Sequence, residues 1–599
     1  REFETEIARS TLSKIIRPGF FRDFSENVTR VAGEQWICQV FGRLTSDEQR
    51  IRAIFTDAKV RDTVLETLNR TEILYRGKDA NVSRARRLEG FEAAAAAERR
   101  KALMLFGQAV LRAPLPGLFL CLRVDSRRSI HRSILRSASF LSLSSRKWTA
   151  ICPTSYGEPG RVETTKFAFG SLAAAARSVS DENPRLPGAS SLLDIEETEN
   201  AGKRAIAAKP IEPGDRLVVE APFAATLLPE FFGTHCQHCF SRFVAPIGCP
   251  DCSSVAFCGR KCRDAAMASY HKYECKVLAL LIGSGMSVLS MLALRMTTQS
   301  GLTGYAIDLR VYDLVTHEKH RTAKDFFERS LMAAFLLKCL QRVGFFETRA
   351  VRVSETPNDR EIAVAGLLLK HLQLLQFNAH EVFETRLGNE HRFRGSRPLY
   401  IGVAIYPTVA RFNHDCYPAV TRYFVGRSIV IRAIRSLRPG DVVAENYGPI
   451  FTKRSLEDRR RTLAARYWFR CECTACREDW PQLVFDRRCP TEGCSKLHPR
   501  PRDPSRSIEC SSCRRRINLR ESLDRVRECE HLYAEGFAAM EEEQPERALK
   551  AFFEAASKFH RVAVPPHKDT HLAEIAASAC MADEGNVYRP DSFPIDFRE

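Results

Sequence analysis

Eight metal-binding side chains stand at Cys236, Cys239, Cys249, Cys252, Cys258, Cys262, His271 and Cys275, spaced C-x2-C-x9-C-x2-C-x5-C-x3-C-x8-H-x3-C. Eight ligands suit two tetrahedral zinc ions, each closed by four protein atoms. A closed site leaves no position for water, so this zinc is structural. It stands in for a hydrophobic core that so short a stretch could hardly supply. Cys416, Cys471, Cys473 and Cys476 make a second cluster around a C-x-C-x2-C run. Cys489, Cys494, Cys510 and Cys513, spaced C-x4-C-x15-C-x2-C, read as a further closed zinc ribbon or as four unrelated thiols on a basic loop. Fifteen of the 21 cysteines fall in these three clusters. In a small secreted chain such spacing suggests disulfides. In a long chain with no visible export signal, zinc in a reducing compartment is the better reading.

Three further segments carry groups suited to chemistry on a bound ligand. They are Gly202-Lys203-Arg204, the run RFNHDCYP with Asn413 and His414, and the run AENYGP with Tyr447, followed by YWFRCECTAC. Singly, each has a plain structural reading: an Asn-His pair is commonly a turn, and a Tyr after a strand is commonly packing. Together, in this order and around the cysteine-histidine finger, they resemble the SET domain of the SMYD lysine methyltransferases, whose finger is of the MYND type. The resemblance covers roughly residues 192–480 and continues more loosely to about 585. Helical repeats on either side make the chain most like the SMYD branch that carries tetratricopeptide units.

The resemblance implies an α+β fold. A strand-rich SET core would carry an inserted MYND zinc finger, a helical SET insert, a post-SET zinc site and tetratricopeptide-like helical flanks. It also implies a protein-lysine N-methyltransferase, moving a methyl group from S-adenosyl-L-methionine to a lysine of a histone or non-histone protein. In that family the finger's two sites interleave, which puts Cys236, Cys239, Cys258 and Cys262 on one zinc and Cys249, Cys252, His271 and Cys275 on the other. The cluster at Cys416, Cys471, Cys473 and Cys476 matches the post-SET zinc. Gly202, Lys203, Arg204, Asn378, Asn413, His414 and Phe469 match positions that hold the methyl donor. Tyr447 matches the catalytic tyrosine, whose hydroxyl orients the lysine amine and the methyl group in line, and it also borders the donor. Such catalysis is positioning and electrostatic preorganisation. The incoming ammonium must lose a proton, and a narrow apolar channel would favour the neutral amine by desolvation. Where the family follows its NHxCxP run with Asn, this chain has Ala419.

These groups need elements to position them. The strands read from RAIAAKPIEPGDRLVVEAPFAATLL and TRYFVGRSIVIRAI, with turns at Pro213-Gly214 and Pro439-Gly440. DFFERSLMAAFLLKCLQRVGFF and EIAVAGLLLKHLQLLQF read as helices. Gly90, Ala102, Phe106, Ala109 and Pro114 have the spacing of one tetratricopeptide unit, and Gly536, Ala548, Phe552 and Ala555 repeat its offsets. The alternative at both places is an ordinary amphipathic hairpin. The chain thus divides into a helical segment (1–83), a tetratricopeptide-like unit (84–116), a linker, disordered or mistranslated (117–190), the start of SET (191–235), the MYND finger (236–275), a helical insert (276–395), the SET core (396–448), a post-SET stretch (449–480), a ribbon-like cysteine segment (485–516) and C-terminal tetratricopeptide-like helices (520–585).

The chain begins at Arg1 rather than Met, which reads as a fragment or a processed product. No apolar run is long enough to span a membrane. A net charge of +18 attracts anionic partners, so weak nucleic-acid contact through a basic surface is one expectation, though no basic helix or interleaved aromatic pattern supports it. Arg459-Arg460-Arg461 and Arg514-Arg515-Arg516 would suit nuclear import, so both cytoplasm and nucleus fit. The expected partners are a protein bearing the target lysine, and peptides held by the finger and the helical repeats, on a monomer. The rival reading is a catalytically weak scaffold that binds peptides through those same parts.

Overall fold

The structure, a computed structural model, describes residues 19–70, 78–96, 98–112, 178–199, 202–242, 246–299, 309–346, 356–480, 487–494, 496–499, 503 and 505–589. Four helices open it: α1 (Phe20–Ala32), α2 (Glu34–Phe41), α3 (Asp47–Thr56) and α4 (Ala58–Arg70). Helix α3 begins on a capping box, in which Ser46 accepts from the Gln49 N–H and Gln49 accepts from the Ser46 N–H. Helices α5 (Ala80–Ala95) and α6 (Arg99–Arg112) then pair as a hairpin. A Cβ on Gly90 would stand 2.8 Å from the Phe106 ring, so the bare glycine lets α5 close down on it.

Residues 178–190, expected to end a linker, are laid on the core instead. Ala189 bridges Val218, and Ser190 N–H donates to Leu217 O at 2.8 Å. Pro114 and the rest of that expected linker, 117–177, lie outside the described residues. Strands β1 (Leu193–Thr198) and β2 (Gly202–Ala207) form an antiparallel hairpin, followed by β3 (Arg216–Glu220) and β4 (Ala224–Leu227). The finger leaves the core after β4. It holds a small ribbon, Ile247–Gly248 on Ala256–Phe257, and helix α7 (Arg260–Ala268). The chain re-enters through α8 (Val288–Gln299), whose Arg295 ties finger to core. The Arg295 guanidinium, fully buried, donates to both Glu274 carboxylate oxygens at 2.8 and 2.7 Å and to Ala225 O at 2.6 Å.

Helices α9 (Ala323–Arg342) and α10 (Asp359–Asn378) form the insert, and the N-terminal helices pack on them. Phe41 meets Phe327 edge-on at 5.1 Å, and Phe21 meets Phe335 at 6.0 Å. The insert ends earlier than the sequence suggested. Strand β5 (Ala379–Arg386) follows α10 without a loop, inside the stretch expected to be helical. Its side chains alternate in burial (Val382 and Glu384 in), and β6 (Arg397–Ile405) pairs with it, so cross-strand pairing overrides the helical pattern before it.

The order continues with β7 (Val420–Val425), β8 (Ser428–Ala433), α11 (Leu456–Tyr467), α12 (Arg520–Glu541), α13 (Pro545–Val562), α14 (Lys568–Ala582) and β9 (Val587–Tyr588). One sheet runs β9-β5-β6-β4 and another β3-β8-β7. The chain therefore mixes helix and strand in sequence as well as in space. Strand β9 pairs parallel with β5, so residues 587–588 belong to the core rather than trailing from the helices. Asn586 reinforces this join by exchanging two hydrogen bonds with the Gly426 backbone, at 2.7 Å each. Among the described residues no helix is long and apolar enough to cross a membrane.

The C-terminal hairpin α12–α13 repeats the contact seen in α5–α6. A Cβ on Gly536 would fall 2.4 Å from the buried Phe552 ring. Gly536→Ala gains about 1 kcal/mol of helix propensity but overpacks the hairpin by about 1–3 kcal/mol. Calorimetry should show a net loss of about 1 kcal/mol, recovered when Phe552→Leu is added. A stabilised single variant would mean the two helices do not close through this contact.

Candidate functional site

The site is built where two distant segments cross. His414 forms a parallel bridge with Glu445, fixed by Glu445 N–H to Asn413 O at 2.9 Å and Asp415 N–H to Glu445 O at 2.8 Å. That pairing puts Tyr447 beside His414, with ring centroids 5.4 Å apart. Tyr447 N–H donates to His414 Nδ1 at 3.0 Å, so Nδ1 is the acceptor and Nε2 carries the proton. Nε2 in turn lies 3.2 Å from Cys416 Sγ.

The Tyr447 hydroxyl donates to Phe412 O at 2.6 Å. Burial, with Glu445 and Tyr467 close by, pushes this phenol well above its ordinary pKa. It stays protonated and has oxygen lone pairs to offer a ligand. Tyr467 lies against it at 4.9 Å with its ring tilted by 44°, and Phe469 meets it edge-on at 6.4 Å.

Tyr447 borders a hollow whose other walls include Asn378, His380, Ala410, Arg422, Glu445 and Tyr467. The hollow is not the apolar channel expected from the sequence. Glu445, on its wall, accepts from Arg422 at 2.7 Å and lies 3.1 Å from His380 Nε2. Burial opposes the charge of Glu445, but Arg422 and His380 outweigh it and hold the carboxyl down to about 2. Sequence reading missed Arg422, Glu445, His380 and Tyr467, although three of them sit within three residues of residues it picked: Asn378, Tyr447 and Phe469.

The expected site residues separate into three groups. Tyr447 and Asn378 line the hollow; Asn378 Nδ2 donates to Val315 O and Leu374 O at 2.8 and 2.7 Å. Asn413, His414 and Phe469 pack behind or beside Tyr447. Gly202, Lys203 and Arg204 begin β2 and do not line the hollow. Gly202 adopts a left-handed φ of 62°, Lys203 lies 3.6 Å from Asp313, and Arg204 pairs with Glu196 at 2.7 Å. Asp313 also faces Arg411 at 3.7 Å, which links β2 to the turn carrying Ala410. Ala419, where the family has Asn, is buried just before β7.

Every predicted metal cluster is assembled, with the interleaved partition of the finger intact. The four groups are Cys236, Cys239, Cys258 and Cys262; Cys249, Cys252, His271 and Cys275; Cys416, Cys471, Cys473 and Cys476; and Cys489, Cys494, Cys510 and Cys513. Within each group the ligand atoms lie within 4.8 Å of one another. Sulfur pairs stand at 3.5 Å (Cys239–Cys258), 3.7 Å (Cys249–Cys275), 3.5 Å (Cys416–Cys476) and 3.8 Å (Cys494–Cys510). A zinc tetrahedron with bonds of about 2.3 Å has edges of about 3.8 Å. A disulfide would need about 2.05 Å. The donor sets therefore fit zinc and do not fit disulfides. In the last cluster two small hairpins, Arg487–Arg488 on Leu497–His498 and Ile508–Glu509 on Arg516–Ile517, each bring two cysteines.

The basic run Arg459-Arg460-Arg461 is not the exposed signal expected. Arg459 is fully buried beneath the Cys416 cluster and donates to Arg454 O and Ala475 O at 2.8 and 3.1 Å. Arg514, Arg515 and Arg516 are exposed.

The MYND finger family matches residues 236–275. Protein-lysine N-methyltransferase SMYD4 of Danio rerio is 24% identical over 421 residues, 56% of this chain and 55% of that protein. SMYD4 of Mus musculus is 22% identical over 469 residues, 64% of this chain and 58% of that protein. N-lysine methyltransferase SMYD2 of Mus musculus is 25% identical over 280 residues, 46% of this chain and 58% of that protein. The chain spans a little over half the length of these curated relatives. A solved structure, the SET domain of LSMT bound to lysine and AdoHcy, matches 51% of this chain and 56% of that one at 13% identity, with a TM-score of 0.22. By its finger and by the extent of these sequence matches, the chain is similar to the SMYD family, and most like its SMYD4 members.

Proposed function

We propose that this chain is a protein-lysine N-methyltransferase with a SET core that uses S-adenosyl-L-methionine. The observation that supports it most is the crossing of the Asn413–Cys416 and Glu445–Tyr447 segments, which sets the His414 imidazole against Tyr447 and puts the Tyr447 phenol on the wall of the hollow. The relatives named protein-lysine methyltransferases point the same way.

In this reading the donor supplies an electrophilic methyl group on sulfur. Asn378 offers Oδ1, because its Nδ2 is already committed to two carbonyls. Asn413 and His414 offer main-chain and side-chain contacts, and Phe469 an aromatic face. Gly202, Lys203 and Arg204 form an outer rim. Tyr447 holds its proton on Phe412 O and turns lone-pair density toward the lysine amine, fixing its approach. Tyr467 and the hollow's walls exclude bulk water around it. The four clusters hold four structural zinc ions: two in the MYND finger, one post-SET and one in the ribbon. The paired helices at both ends are tetratricopeptide-like units, and with the finger they are the surfaces for peptide partners.

The metals separate into those that support the site and those that do not. Released zinc, measured with a colorimetric chelator, should be about four per chain. Cys473→Ser should lower that by about one and abolish the thermal shift that S-adenosylmethionine gives, because Cys416 of the same cluster anchors the Asn413 segment. Cys510→Ser should lower zinc equally and keep the shift. Equal effects of the two variants on donor binding would uncouple the Cys416 cluster from the site.

Chemistry is tested with labelled methyl donor and cell extract. The parent should label extract protein, and Tyr447→Phe should do so about a hundredfold more slowly while still binding the donor. Parent protein that neither binds the donor nor labels any protein would leave the peptide-binding scaffold as the reading.

A further inference from the structure

His380 stands on the wall of the hollow, next to Tyr447, with one ring nitrogen engaged and the other idle. Nε2 lies 3.1 Å from Glu445 Oε1. Nδ1 is buried and has no hydrogen-bond partner among the described residues. Because a carboxylate only accepts, Nε2 carries the proton and Nδ1 keeps its lone pair. Glu445 is itself held ionised by Arg422, 2.7 Å away on β7. This is the arrangement of an imidazole backed by a carboxylate, able to accept a proton at one nitrogen and have the resulting cation stabilised at the other.

The proposed reaction needs such a group. A lysine reaches the site as an ammonium and has no lone pair until it loses a proton. Tyr447 cannot take it, since its phenol is already protonated and burial resists its ionisation. Desolvation alone is a weak driver here, because the hollow is walled by charge. The charged and titratable groups around His380 are Glu445 and Arg422, the neighbouring Glu381, Arg466, Tyr447 and Tyr467 of the hollow, and the Tyr406 ring edge-on at 5.6 Å. Arg466 is exposed and pairs with Glu381 at 3.1 Å, which marks the side on which the hollow meets water.

Resting on the methyltransferase reading, we infer that His380, backed by Glu445, accepts the proton of the incoming lysine ammonium and hands it to solvent. One N–H bond of the ammonium breaks and one N–H bond forms at Nδ1. The electron pair left on the lysine nitrogen is the pair that bonds the methyl carbon. The proton then leaves Nδ1 for water, and the ring returns to its starting tautomer. Glu445 keeps its charge throughout and acts as a positioning residue.

The test compares parent with His380→Gln, whose amide can still donate to Glu445 but offers no basic nitrogen. Initial rates of labelled-methyl transfer to extract protein at saturating donor are read from about pH 6 to about pH 10.5. Near neutral pH the variant should be about a hundredfold slower. The deficit should shrink as pH approaches about 10.4, where about half of the lysine arrives already neutral. Glu445→Gln should show a smaller deficit that shrinks in the same way. A variant rate equal to the parent's overturns the inference. So does a deficit of constant size at every pH, which is what a purely structural strut would give. A parent that transfers no methyl group overturns it together with the reading beneath it, whereas an active parent with either of those two variant profiles overturns the His380 role alone.

Discussion

Cys416 belongs to two structures at once, and the rest of the site depends on that. Its backbone ends the segment that pairs with Glu445, and its thiol joins Cys471, Cys473 and Cys476. A metal there would fasten the chain after Tyr447 back onto the segment before it, so that the crossing could not open without losing a metal ligand. The electrostatics fit the same purpose. Zinc with four thiolates carries a net charge of about −2, which is costly to bury without a counter-charge. Arg459 supplies it from α11, with its guanidinium 3.7 Å from Cys476 Sγ, and His414 directs Nε2 at Cys416. The imidazole is thereby fixed in one tautomer by the Cys416 sulfur on one side and by the Tyr447 amide on the other.

What the sequence revealed followed the range of the interactions. Metal ligands lie close along the chain, so the finger could be read from its spacing, while its partition followed only from the family resemblance. The Gly90–Phe106 and Gly536–Phe552 contacts were legible for a similar reason, because each is closed by one helix turn-back. The polar character of the hollow was not legible. His380 and Glu445 are 65 positions apart and Arg422 lies 23 from Glu445, and in a sequence a buried charge looks like a surface one. Arg459 misled for that reason, reading as an exposed basic run. The strand β5 was hidden by the apolar run of α10, which continues to its first residue, and only pairing with β6 decides where the helix stops. The N-terminal helices gave little sign of their partners. Their buried faces, Phe21 and Phe41 among them, are short apolar sets whose match lies some three hundred residues away in α9.

The C-terminal helices meet the core through an apolar cluster that includes Val430, Ile434, Phe552 and Met581, and polar bonds reinforce that seam and the helices themselves. Tyr417 donates to Glu574 at 2.8 Å, Tyr423 to Glu584 at 2.9 Å, and His560 lies 3.1 Å from the same Glu574. Burial opposes the charge of Glu574, yet His560, His571 and Arg435 bring its carboxyl down to about 2. Such a network adds little net stability over an apolar seam, but it tolerates one arrangement only, since a slipped helix would strand a buried charge. Tyr417 follows Cys416 directly, so the register of α14 is transmitted to the segment that builds the site.

Within the site the two polar rings have different physical tasks. The Tyr447 phenol, wedged between a carbonyl and two aromatic rings, is shielded from ionising by burial and by the Glu445 charge nearby. The same Glu445 carboxylate lies 3.1 Å from His380 Nε2 and fixes which ring nitrogen carries the hydrogen. One carboxylate therefore keeps the phenol neutral, as a fixed dipole, while orienting the imidazole so that Nδ1 keeps its lone pair. Orientation and proton removal are assigned to different side chains by a single buried charge, and Arg422 is the residue that keeps that charge in place.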